Sequence, residues 1–195
     1  MDQHSGHSHH RGLAAVLPQR HEAHAGAHGD AGAHGETHHG EPCVVFIGNP
    51  NVGKSSTFNA LLGAKARVMN APGTTVLLES GSMAIDGTDW RFVDTPGTYS
   101  LLPLSPDEQV AADAVMGVDG NPDPDVVVTV LDATNLARSL YFLAMVLELG
   151  RPTVVALTMD DLARKQDAYV DPAQLSRALD GVPVVAVNGR TGEGG

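Results

Sequence analysis

The octapeptide Gly48-Asn49-Pro50-Asn51-Val52-Gly53-Lys54-Ser55 constrains this chain more than any other stretch. It satisfies G-x-x-x-x-G-K-[ST] in full, and its flanks supply the context that gives the pattern meaning. Before it lies the apolar run Val44-Val45-Phe46-Ile47, which predicts a short buried strand ending at Gly48. After it, Lys54 to about Leu62 predicts a helix. Glycines let the turn wrap tightly with its N–H groups facing inward, and the helix N-terminus adds partial positive charge. Lys54 brings a full charge for β- and γ-phosphates, and the Ser55 hydroxyl is a ligand for Mg²⁺. Both side chains are expected to face ligand and to contribute little to a core.

The text after this motif alternates strand and helix. Residues 78–84 and 90–93 predict two strands joined at Asp86-Gly87, a hairpin signal. Val126–Leu131 is a β-branched run suited to a central parallel strand, and Leu136 to Leu149 predicts a helix stopped by Gly150 and Pro152. Thr153–Leu157 predicts a further strand. Asp171-Pro172 opens a helix to about Asp180, and Val182–Val187 is the last strand. The expected fold is α/β: a three-layer P-loop architecture whose central sheet is mostly parallel with one antiparallel hairpin strand.

Composition divides the chain near residue 40. All ten histidines precede that point: His4, His7, His9, His10, His21, His24, His28, His34, His38 and His39. With few sizeable apolar residues, residues 1–40 are expected to be a disordered tail. Its imidazoles suit weak, labile transition-metal binding, and a flexible solubilising tail is the plainer alternative. Residues 41–195 form the expected folded domain. A single cysteine, Cys43, excludes an internal disulfide and fits a reducing compartment. The formal net charge of −11 argues against a nucleic-acid partner. No run approaches the length of a membrane helix and no signal peptide is present, so the chain as given reads as soluble and cytoplasmic.

A phosphate cradle alone does not choose the base, and the later elements do. Asp94-Thr95-Pro96-Gly97 follows a strand, where Asp94 can orient Mg²⁺ through water and the Gly97 amide can sense a γ-phosphate. Gly73, Thr74 and Thr75 lie in the polar loop after the first helix, and Thr75 offers the metal a second hydroxyl. Thr158-Met159-Asp160-Asp161 follows a strand, where the Asp161 carboxylate can accept from guanine N1 and N2. Asn188-Gly189-Arg190 follows the last strand, in place for a backbone contact to guanine O6. With Ser56, which follows the octapeptide, these complete the expected nucleotide site for GTP or GDP.

Six phrases together resemble the ferrous-iron transport protein B family: GNPNVGKSSTF (48–58), NAPGTTV (70–76), DTPGTYSL (94–101), DEQVA (107–111), DATNL (132–136) and LELGRPTVVALTMDD (147–161). The resemblance covers residues 43–195. It implies a G domain on the cytoplasmic side of the cell membrane that regulates or drives Fe²⁺ uptake through an attached membrane permease domain. Neither that domain nor the family's helical domain is in the chain, which stops at Gly195 and reads as a fragment. The family's base motif is normally Asn-x-x-Asp. Thr158 therefore keeps a hydroxyl but loses an amide, which is expected to weaken base affinity. Asn188-Gly189 stands where Ser-Ala is usual.

The resemblance also bears on hydrolysis. Thr98 stands where many GTPases carry a water-orienting glutamine, so hydrolysis is expected to be slow. Related G domains use asparagine at the Asn51 position to hold K⁺ beside the phosphates. That makes Asn51, with Lys54 and Thr75, a candidate catalytic residue; alternatively Asn51 only favours the loop's backbone shape. Two other classes share parts of this pattern. A nickel or zinc metallochaperone GTPase would join a His-rich tail to a G domain, but no histidine follows His39. A ribosome-assembly GTPase would share GNPNVGKS and DTPG, yet residues 41–195 are acidic.

Overall fold

The computed structural model describes residues 41–189 together with Gly12, Ala15 and Val16. The expected metal-binding tail and Arg190 lie outside these residues, except for those three positions.

Among the described residues seven strands form one sheet: β1 (Cys43–Gly48), β2 (Arg67–Asn70), β3 (Leu77–Ile85), β4 (Thr88–Asp94), β5 (Val126–Asp132), β6 (Thr153–Thr158) and β7 (Val184–Ala186), in the spatial order β2-β3-β4-β1-β5-β6-β7. From β4 across to β7 every pairing is parallel, whereas β3 runs antiparallel to both β2 and β4. The Asp86-Gly87 turn has φ of 50° and 84°, the two positive values that a tight hairpin of this twist needs. That two-residue loop fixes the register, pairing Ile85 with Thr88 and, farther along, Glu79 with Asp94.

The helices are α1 (Lys54–Leu62), α2 (Pro106–Met116), α3 (Leu136–Leu147), α4 (Asp160–Lys165) and α5 (Pro172–Ala178). Strands β1 and β6 are buried at every residue, as parallel strands covered on both faces must be. On one face Phe46, Phe92, Val128 and Val130 pack with Phe58, Leu61 and Leu62 of α1, and the Phe46 and Phe58 rings meet edge to face at 5.6 Å. On the other, Val45, Ile47 and Val127 pack with Ala111 and Val115 of α2 and with Phe142 and Val146 of α3. A third cluster joins Leu131, Val155 and Leu157 to Leu143 of α3, Ala163 of α4 and Leu175 of α5.

Three elements go beyond the expectations. Strand β2 is exposed along its whole length and carries no alternation to betray it. Helix α4 is six residues long and starts from Met159, whose φ is 59°. Helix α2 has a full N-terminal signal: Ser105 Oγ accepts from Glu108 N, Pro106 opens the helix, and Glu108 Oε2 accepts from Leu104 N at 2.9 Å. Helix α3 ends two residues before the expected stop.

Among the described residues no helix is long and apolar enough to cross a membrane.

Candidate nucleotide and metal site

The octapeptide crosses from the C-terminal end of β1 to the N-terminus of α1, at the centre of the sheet where open α/β folds place their ligands. Asn51 and Gly53 take φ of 65° and 85°, which folds the turn back on itself. Asn51 is exposed, while Asn49 is buried and its Oδ1 lacks a partner among the described residues.

Asp94, at the end of β4, gathers the chemistry. Its Oδ1 accepts from Lys54 Nζ at 2.6 Å and its Oδ2 from Ser55 Oγ at 2.6 Å. Lys54 Nζ also donates to the Thr95 carbonyl. The Lys54 and Asp94 side chains are only 8% and 4% exposed, so the lysine expected to face ligand alone is also half of a buried ion pair. Thr95 fastens this strand end to β1: its amide and its hydroxyl both donate to the Phe46 carbonyl.

The next residues lie against the octapeptide. Thr98 N donates to the Gly48 carbonyl at 3.1 Å, and a Cβ added to Gly97 would sit 2.8 Å from Pro50 Cα. Only glycine permits that approach, which leaves the Gly97 backbone beside the cradle. Thr98 is fully buried; its hydroxyl donates to the Ser100 carbonyl at 2.7 Å, accepts from Ser100 N, and lies 3.4 Å from Glu108 Oε1. The side chain at the glutamine position is thus engaged within its own loop.

A cleft of about 760 Å³ is lined by Lys54, Ser55, Thr75, Glu79, Asp94 and Gly97, among others. A second, of about 520 Å³, is lined by Asn49, Pro50, Asn51, Gly53, Lys54, Ser55, Ser56, Gly97 and Met159. The two share Lys54, Ser55 and Gly97, so these residues stand where the hollows meet. Thr75 and Gly73 are exposed, and the Thr74 hydroxyl is spent on the Ala71 carbonyl and Val76 N.

The base-side residues come from the ends of β6 and β7. Asp161 is exposed in the first turn of α4, whereas Asp160 Oδ2 pairs with Arg164 Nε at 2.7 Å. That hydrogen bond holds the Arg164 guanidinium above its ordinary pKa. Thr158 faces the octapeptide rather than open space: its hydroxyl lies 2.6 Å from the Val52 carbonyl and 2.9 Å from the Leu131 carbonyl. Gly189 packs so closely on α1 that an added Cβ would sit 2.9 Å from the Ser56 backbone, bringing Asn188-Gly189 to the same end of the sheet. In DATNL, Asp132 Oδ1 accepts from both Thr134 N and Thr134 Oγ1, which caps the 3-10 turn Ala133–Asn135 that leads into α3.

A family model described as ferrous iron transport protein B matches residues 43–195. The chain belongs to that family. The Fe(2+) transporter FeoB of Salmonella typhimurium is 43% identical over 155 residues, which are 77% of this chain and 19% of the transporter. The Leptospira biflexa transporter is 36% identical over 154 residues, 79% and 22% of the two chains. The chain therefore spans about a fifth of the length of these relatives. Among solved structures, the G domain of the T. maritima FeoB iron transporter superposes with a TM-score of 0.70 at 41% identity, covering 78% of this chain and 91% of that one. The cytosolic domain of the same transporter in its GMPPNP form gives 0.71 at 40% identity, over 78% and 59%. The fold is that of a P-loop GTPase domain of the FeoB family, and these matches favour neither the metallochaperone nor the ribosome-assembly reading.

Proposed function

We propose that this domain binds GTP and GDP with Mg²⁺, hydrolyses GTP slowly, and thereby regulates or drives Fe²⁺ uptake by the longer protein. The observation that carries the reading is the convergence of Lys54 and Ser55 on Asp94 between two adjoining hollows. Phosphates take the cradle of 48–53, with Lys54 Nζ as their cation. Oxygen donors suit Mg²⁺: the Ser55 and Thr75 hydroxyls directly, and the Asp94 carboxylate through water. When bound, that ion neutralises charge on the β- and γ-phosphates.

The chain's own residues then set a slow rate. Gly97 N–H is the sensor of a third phosphate. The Thr98 hydroxyl, held by Ser100, leaves the attacking water without a side chain to orient it. Asn51, exposed at the cradle's rim, is the candidate K⁺ holder that would replace an arginine finger. Asp161 selects guanine, and Met159, Asn188, Gly189 and Arg190 complete the base side. Residues 1–40 are a His-rich tail and 41–195 the G domain. In the longer protein the G domain stands on the cytoplasmic side and acts on a membrane permease domain.

Titration with labelled GTP, GDP and ATP tests the reading. GTP and GDP are expected to bind well ahead of ATP, and Asp161→Ala is expected to erase the preference. Equal affinity for ATP in the unaltered chain would refute it.

A further inference from the structure

Glu79 lies on β3, directly across from Asp94 on β4. Residues paired this way point to the same face of a sheet, and two like charges so placed repel each other. The Asp94 carboxylate is compensated by Lys54 and Ser55. Glu79 is not so served: its Oε2 is shut off from solvent and has no hydrogen-bond partner among the described residues. Its other cross-strand neighbour is Val68 of β2, which offers no donor from its side chain. Yet Glu79 lines the same cleft as Ser55, Thr75 and Asp94, the oxygen donors assigned above to Mg²⁺. A buried acceptor without a donor, opposite a second carboxylate, costs stability unless the compensating charge arrives with a ligand.

We propose that Glu79 is a positioning residue for the Mg²⁺ of the nucleotide complex, accepting hydrogen bonds from the ion's hydration shell on the β3 side while Asp94 does so from β4. Mg²⁺ keeps several of its waters when it binds proteins and phosphates, so a carboxylate one water away is a common means of holding it. Outer partners of this kind are worth 10–100-fold in metal affinity. The inference rests on the Mg²⁺–nucleotide reading of the cleft.

The test is the affinity of the 195-residue chain for labelled GDP, in EDTA and across a Mg²⁺ titration, for the unaltered protein, Glu79→Gln and Glu79→Asp. Glu79→Gln is expected to raise the Mg²⁺ midpoint of the GDP complex about tenfold or more. GDP affinity in EDTA should stay unchanged or tighten, because a negative charge near the phosphates has gone. Glu79→Asp, which keeps the charge on a shorter arm, should fall between the two and serves also if the glutamine variant does not fold. A Mg²⁺ midpoint equal to that of the unaltered chain in both variants would overturn the proposal. So would an equal loss of GDP affinity with and without the ion, the mark of a structural role alone. If the unaltered chain binds GDP with no dependence on Mg²⁺, the reading of the cleft itself fails, and the proposal falls with it.

Discussion

Replacing Thr158 by valine keeps the shape of the side chain and removes one hydroxyl. That hydroxyl lies 2.6 Å from the Val52 carbonyl and 2.9 Å from the Leu131 carbonyl, in a residue 3% exposed. A threonine has a single proton for these two acceptors. Losing it strands a buried carbonyl, at a cost of about 2 kcal/mol. In a domain of this size that corresponds to a fall in melting temperature of roughly 4–8 °C. Nucleotide affinity should weaken too, because Val52 lies inside the cradle. If all of the lost energy must be restored on binding, the loss reaches roughly thirtyfold. Asparagine instead supplies two N–H donors for the two carbonyls, so Thr158→Asn should gain about 1 kcal/mol and bind nucleotide more tightly. Thermal melts and labelled-GDP titrations of the three proteins measure both quantities. A valine variant that melts and binds like the unaltered chain would refute the tether. An asparagine variant that loosens the site would refute the count of donors.

The Lys54–Asp94 pair separates two substitutions that would otherwise look alike. Lys54→Ala and Ser55→Ala should each abolish Mg²⁺–GTP binding, but Lys54→Ala also strands a buried carboxylate and should cost about 3 kcal/mol in urea unfolding. Ser55 is exposed, and its loss should leave stability nearly unchanged. The Cys43 thiol, 1% exposed, is pushed up by burial to about 11, against an ordinary value of 9.0. Its raised pKa contributes stability that is fully present below pH 9 and is lost as pH rises from 9 to 11, since the unfolded chain sheds the proton first. Alkylation at pH 8 should be slow in the folded chain and rapid in urea; fast labelling without urea would contradict this burial.

Much of the fold was legible because its elements announce themselves locally. The apolar run before Gly48, the β-branched stretch from Val126 and the Asp86-Gly87 turn each specify a backbone shape without help from distant residues. Strand β2 does not: Arg67-Val68-Met69-Asn70 is exposed throughout and is a strand only because β3 lies beside it. Helix α2 is a different case, since the Ser105-Pro106 start with Glu108 at the third position was a usable signal. In the site, the role of the octapeptide could be read from its spacing, but the partners of its side chains could not. Lys54 as half of a buried ion pair and Thr98 turned into its own loop both depend on tertiary packing. Glu79 stands between these cases. The two-residue turn pairs 85 with 88, and counting back along the hairpin sets 79 against 94 before any coordinate is known.

The strand order also bears on how the domain is made. β1 pairs with β4 on one side and with β5 on the other, so it cannot be enclosed until Val126–Asp132 has been synthesised. The octapeptide emerges early, yet its supports come late: Asp94 lies 40 residues beyond Lys54, and Thr158 106 residues beyond Val52. Gly189, pressed against Ser56, comes later still. Contacts of such long sequence separation form slowly, because each must first close a large loop of chain. A nascent chain can therefore display the complete phosphate motif and still have no walls around it. The full set of contacts around a nucleotide exists only in the finished domain, with the last strand docked on the edge of the sheet.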